Sequence, residues 1–307
     1  MSTVSPKPRR EVRWERMFPD ELESAIAAKP VVYFAYGLCE PHGPHNALGL
    51  DGLKAYAVCC RAAAEHGGIV APADMWHCHE LGLFASWGFQ RVGEVQPYLT
   101  AVPPWVHFKN VCYHVRAADA AGFHAAILFT GHYGPNWRDL KTLVGILQPH
   151  FAMRIYGLPE FEANRPGFDV DGKSNDHAGK VETSLLLALE PECVDLSRLP
   201  TRPGPDEPRP LHFAMGWNAY QSSQRIGERM AADEVRFLGQ KADEMLAEYA
   251  ASPPVERSPL SFEQIEVIWD NEVRPVFKEF RTMQYLDRPA PPPESRWRVN
   301  YEIPDRS

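Results

Sequence analysis

The 307-residue chain has no long apolar run, no excess of basic residues and little cysteine. No stretch approaches the roughly 18 consecutive apolar residues of a membrane-spanning helix. The charged start, MSTVSPKPRREVRWERMF, has no apolar segment of the kind a secretory signal carries. Lys and Arg number 32 against 40 Asp and Glu, a formal net charge of −8. A nucleic-acid binder needs a basic surface, and anionic membranes attract one, so neither partner is expected. The six cysteines are Cys39, Cys59, Cys60, Cys78, Cys112 and Cys193, and they form no CxxC pair. That pattern excludes a small disulfide framework and fits reduced thiols in a cytoplasmic protein. Cys59 and Cys60 read as small buried hydrophobes of a helix.

What is present is ordinary globular material. Hydrophobic residues make up 44% of the chain, enough for a sizeable core in one domain with an appendage. Helical patterns cover Asp20 to Ala28, Gly52 to His66, Asn110 to Ala121, Trp137 to Leu147 and Ser223 to Ala250. Between them lie apolar runs at Val31–Tyr36, Ile69–Pro72 and Ala125–Thr130, with a further strand expected over Phe151–Tyr156. Alternating strands and helices predict an α/β fold with a mostly parallel sheet. Ligands of such sheets sit beyond the carboxyl ends of the strands. Pro200 to Pro210 reads as a connector, and 251–307 as a Pro-rich extension after a main domain over 10–250. Within that extension a helix over Ser261 to about Phe280 carries Ile265, Ile268, Trp269, Val273, Phe277 and Phe280 at helical spacing. These need burial, on another subunit or on the rim of the chain's own pocket.

Three polar constellations fall at strand or helix ends. Glu40-Pro41-His42-Gly43-Pro44-His45 follows the first strand, with Asp51 shortly after. Mixed carboxylate and imidazole donors suit Zn, Mn or Fe(II), although Glu-x-His alone is a weak signal. Thr130-Gly131-His132-Tyr133-Gly134-Pro135-Asn136 follows the third strand, where a lone histidine is more often structural. Asp176-His177-Ala178-Gly179-Lys180-Val181-Glu182-Thr183-Ser184 opens a helix. A glutamate there also satisfies the helix dipole with no further role. His77-Cys78-His79 has metal-ligand composition but no supporting context.

Taken in order, the three constellations resemble the signatures of the creatininase family, the creatinine amidohydrolase-like metal-dependent hydrolases. Glu40, His42, His45 and Asp51 match the first signature in type and spacing. Gly131, His132 and Asn136 match the second, and His177 to Ser184 match the third. The resemblance covers roughly 10–250. It implies a three-layer α/β/α domain and a dinuclear centre with two divalent ions per chain (Zn, Mn or Fe). The implied ligands are Glu40, His42, Asp51, His132 and Glu182, with Asp51 bridging. It further implies a catalytic role for His177 and a homo-oligomer, a hexamer or another dimer-based assembly. Such ions activate water and polarise an amide carbonyl, and His177 suits protonation of the departing nitrogen. Tyr133, Asn136, Trp76 and His77 are the expected substrate contacts, with Trp87 and Trp105 as further pocket walls.

The sequence departs from the family in four places. Thr130 stands where many members have Asn. Gly134 stands where creatininase itself has a glutamate thought to act as base. Lys173-Ser174-Asn175-Asp176 replaces the expected flap tryptophan. An aromatic segment from Trp76 to Trp105 replaces the usual Pro-Gly-Thr loop. These departures argue against creatinine as substrate and leave the general base unassigned. The expected function is metal-dependent hydrolysis of a non-peptide C–N bond in a lactam, cyclic amide or formamide. The alternatives are a metallopeptidase trimming a short peptide and a non-catalytic metal-binding homologue.

Overall fold

The computed structural model describes residues 11–79, 99–132, 134, 136–164, 177–202, 212–251, 258–284, 292–294 and 303. Tyr133, Trp87, Asp176 and most of the 200–210 connector lie outside these residues. Val31–Tyr36 (β1) and Ala125–Thr130 (β3) are buried at every residue. Continuous apolar strands of this kind need cover on both faces. They form the centre of a four-stranded sheet, with Ile69–Val70 (β2) beside β1 and Arg154–Pro159 (β4) beside β3. Every pairing is parallel, with Val31 opposite Ala125 and Ala125 opposite Arg154.

The helices are Pro19–Ala28 (α1), Leu50–His66 (α2), Pro104–Ala121 (α3), Asn136–Leu147 (α4), Lys180–Leu189 (α5), Gln224–Ala251 (α6) and Phe262–Ile268 (α7). Alternate strand residues face opposite ways, and two cores result. Val32, Phe34, Ala126 and Leu128 pack with Ala25 of α1, Phe108 and Val111 of α3, and Leu140 and Leu143 of α4. Val31, Tyr33, Ile127 and Phe129 pack with Ala55 and Val58 of α2, Leu185 of α5, and Val235 and Leu238 of α6. The architecture is therefore the expected three layers, α/β/α.

Three boundaries differ from the sequence expectation. Helix α3 starts six residues earlier than Asn110, at Pro104. A proline at the first helical position gives up an N–H that the helix would not have used. The last strand begins at Arg154 and not at Phe151. The Gln148 side chain donates to the Phe151 and Met153 carbonyls and accepts from Ile155 N, which holds 151–153 out of the sheet. The expected tail helix is broken after Ile268 into a π turn at Trp269–Val273 and a 3-10 segment at Arg274–Glu279. Pro275 lies in this stretch, and proline cannot donate the helical bond four residues back.

The tail's apolar residues are buried, but against the chain's own core. Ile265, Ile268, Trp269, Val273, Phe277 and Phe280 join Phe108 and Val111. This replaces the expected packing on a neighbour or on a pocket rim. The Asp139 carboxylate on α4 fastens the tail just after Phe280 by accepting Arg281 N at 2.8 Å and Thr282 N at 2.7 Å.

Two glycines set the site's geometry. A Cβ at Gly131 would lie 2.1 Å from the Asp51 carbonyl oxygen, and one at Gly37 would lie 2.3 Å from Gly52 N. Their absence lets the first turn of α2 press against the ends of β1 and β3. Asp51 stands in that turn, where the helix dipole favours a carboxylate.

Candidate metal centre

Glu40, His42, Asp51, His132 and Glu182, distant in sequence, converge beyond β1 and β3, and all are 6% exposed or less. They divide into two trios around Asp51. Asp51 Oδ2 lies 3.1 Å from His132 Nδ1, which is 3.2 Å from Glu40 Oε1. Asp51 Oδ1 lies 3.2 Å from His42 Nε2, which is 3.9 Å from Glu182 Oε2. Within each trio one donor atom per residue lies within 4.8 Å of the others. His42 Nε2, despite its proximity to Asp51, has no aligned hydrogen-bond partner among the described residues. His132 Nδ1 hydrogen-bonds Asp51 Oδ2, whereas His132 Nε2 has no partner among the described residues either. Buried carboxylate and imidazole donors gathered in this way fit divalent cations by donor chemistry.

Each donor is held from behind. His42 Nδ1 is 3.0 Å from the Glu40 carbonyl, which leaves Nε2 facing Asp51. Glu182, at the start of α5, accepts from Lys54 Nζ at 2.9 Å through Oε1 and from Ala178 N at 2.8 Å through Oε2. It is buried and not a solvated helix-start carboxylate. Ala178 sits at a φ of 50°, a conformation that costs a non-glycine residue energy and is commonest at functional loops. His45 ligates neither trio. It is 3.0 Å from Thr183 Oγ1, to which Asn46 Nδ2 also donates at 2.9 Å, so it ties the first constellation to the third.

His177 stacks on His42 at 4.4 Å between ring centroids. Its Nε2 is 2.8 Å from the Pro41 carbonyl, and its Nδ1 is 3.9 Å from Glu40 Oε1. A carbonyl accepts only, so Nε2 carries a proton and Nδ1 looks into the centre. Asn136, on the first turn of α4, is buried with neither amide atom hydrogen-bonded among the described residues. The other two described substrate candidates lie apart. Trp76 is 58% exposed. His77 is buried behind His132, 5.3 Å between centroids.

Sequence reading missed Lys54 and Trp217, and noted His79 only for the metal-ligand composition of its segment. His79 Nε2 reaches Glu40 Oε2 at 3.2 Å. Lys54, fully buried, pairs with Glu182 and, at 2.8 Å, with Glu160. Trp217, 45% exposed, follows Gly216, where a Cβ would lie 2.6 Å from the His177 carbonyl oxygen. A tryptophan thus stands beside the His177 loop although the segment before that loop has none.

Charge explains the protonation pattern. Burial opposes the charged form of His42, but Asp51, then Glu40 and Glu182, raise it to about 9. His132 is likewise held well above the usual range against burial by Glu40 and Asp51. Burial would raise Asp51, yet His42 and His132 bring it down to about 2. In the metal-free protein both imidazoles therefore carry protons at neutral pH, and a cation must displace them. Apparent metal affinity is expected to keep climbing through pH 9. Two ordinary imidazoles would let it level off near their usual value of about 6.5. Metal titrations between pH 6 and 9.5 check this, and an affinity flat above pH 7 contradicts it.

Fold and site together describe an α/β protein with a buried carboxylate–imidazole cluster whose donors could hold divalent ions. The chain matches the creatininase family, described as creatinine amidohydrolase, over residues 15–252, and it belongs to that family. It is 27% identical over 210 residues to the creatinine amidohydrolase of Pseudomonas putida, covering 63% of this chain and 75% of that protein. A crystal structure of creatinine amidohydrolase superposes with a TM-score of 0.60 at 23% identity, covering 80% of this chain and all of the other. A putative creatinine amidohydrolase from Bacteroides fragilis gives 0.59 at 19% identity, covering 81% and 99%. Other similar structures are a manganese creatininase and a mutant creatininase of Zn-Zn type. The chain is accordingly a metal-dependent hydrolase of carbon–nitrogen bonds outside peptides.

Proposed function

We propose that the two trios hold two divalent ions per chain, with Asp51 shared, and that the enzyme hydrolyses a small cyclic or otherwise compact amide. The carrying observation is that the two Asp51 oxygens face different trios, Oδ2 towards His132 and Oδ1 towards His42. When bound, such ions polarise an amide carbonyl and lower the pKa of water. Glu40, Asp51 and His132 would hold one ion, and His42, Asp51 and Glu182 the other. Lys54 keeps Glu182 aimed by occupying its far oxygen. His177 would take up at Nδ1, the nitrogen not tied to the Pro41 carbonyl, the proton that the attacking water gives up, and would pass it to the departing nitrogen. Asn136, buried and without a partner among the described residues, offers a donor and an acceptor to the substrate amide.

Gly134 is buried and has no carboxylate to offer, which sets this site apart from one built for creatinine. We assign the metal-replete enzyme a lactam, cyclic amide or formamide. Turnover of such a panel, with creatinine and short peptides as comparators, tests this. Hydrolysis of peptides alone overturns it. Trp217→Ala is expected to raise KM roughly 10-fold with kcat within a factor of about three, the signature of lost uniform binding. Steady-state kinetics on the best substrate check this, and a kcat loss at constant KM contradicts it.

A further inference from the structure

His77, Cys78 and His107 form a second constellation that the amidohydrolase reading leaves unused. One ligand atom from each lies within 4.8 Å of the other two, and the residues are 2%, 0% and 2% exposed. They come from two pieces of chain. His77 and Cys78 lie on the segment after β2, where Val102 N donates to the His77 carbonyl at 3.0 Å. His107 stands in the first turn of α3, its ring centroid 3.8 Å from that of His77.

The protons show what the two rings lack. His77 Nδ1 is 3.0 Å from the Cys78 carbonyl and must carry that ring's proton. Its Nε2 is 3.4 Å from Thr130 Oγ1, whose own hydrogen goes to the His132 carbonyl. His107 is hydrogen-bonded to the Trp76 main chain, and its Nδ1 has no partner among the described residues. Each ring thus has one nitrogen held by a carbonyl, while the other has no partner in His107 and only the long Thr130 contact in His77. Metal-ligating histidines are held in this way, and buried acceptors without partners are costly otherwise.

We propose that His77, Cys78 and His107 bind a further ion, a thiophilic Zn2+ or Cu+, in a two-nitrogen, one-sulfur site separate from the Asp51 centre. Imidazole and thiolate donors select such ions. Bond lengths of about 2.0 Å to nitrogen and 2.3 Å to sulfur put the three tetrahedral ligand atoms about 3.3–3.5 Å apart, so the side chains close by at most about 1.5 Å on binding. The ion would pin the 77–79 segment to α3 behind His132, and with it His79 against Glu40.

The Asp51 trios contain no sulfur, so sulfur ligation reports this site alone. Wild type, Asp51→Asn and Cys78→Ser are loaded with excess Co2+. A thiolate-to-cobalt charge-transfer band is expected in wild type and in Asp51→Asn, and its loss in Cys78→Ser. X-ray absorption of the Zn-loaded wild type is expected to show a sulfur neighbour at about 2.3 Å, a reading that needs no variant to fold. No sulfur neighbour in fully loaded wild type, or a band that survives Cys78→Ser, overturns the proposal. Failure of the Asp51 centre would appear separately, as unchanged metal content in Asp51→Asn.

Discussion

Asp51→Asn is expected to fold normally, lose metal from both trios and drop turnover by more than roughly 10³-fold, beyond the 10–100-fold that loss of an outer partner of a metal ligand costs. The residue is 1% exposed in the first turn of α2, and Asn has nearly its shape, so the helix start survives. What disappears is the charge that faces both imidazoles. The amide also presents N–H donors towards His42 or His132, which are already protonated in the metal-free state. Metal analysis and turnover on the same preparation check this. A variant that keeps its ions and its rate would remove Asp51 from the centre.

His177→Ala is expected to keep its metal and melting temperature while turnover falls roughly 10²–10⁴-fold, the range of a positioned general acid or base. The ring lies over His42 with Nδ1 directed at the centre and takes no part in the Asp51 trios. Burial, then the neighbouring His42, lower its proton affinity, so Nδ1 holds a proton only in passing, as a shuttle requires. If His177 only braces the loop through the Pro41 carbonyl, melting temperature and metal content fall together with the rate. Full turnover would exclude it from the chemistry.

Much of this arrangement was readable from residues alone. β1 and β3 are unbroken apolar runs closed by Gly37 and Gly131, and both strands end where those glycines predict. The candidate ligand set came from the resemblance of three ordered motifs to the creatininase family, since each motif alone was a weak signal. The remainder depended on tertiary contacts. Lys54 on a helix reads as an ordinary solvated lysine, and only a contact spanning 128 residues turns it into the support of Glu182. The start of α3 was hidden because Trp105, His107 and Phe108 look like an aromatic loop until Pro104 is taken as the first helical residue. The tail's register was legible but its destination was not, since periodicity says that a face needs burial and not which surface buries it. Trp217 lies in a segment with no local signal, and only Gly216, resting on the His177 loop, brings it beside that loop.

The central claim is that one carboxylate joins two metal positions. Electron paramagnetic resonance of the Mn2+-loaded enzyme tests it most directly, because Mn2+ favours oxygen and imidazole donors over thiolate and so reports on the Asp51 trios. The expected result is two Mn2+ per chain with a spin-coupled spectrum that collapses to signals of isolated or free ions in Asp51→Asn. A single bound Mn2+, or two that remain magnetically independent in the wild type, would contradict the shared-carboxylate centre.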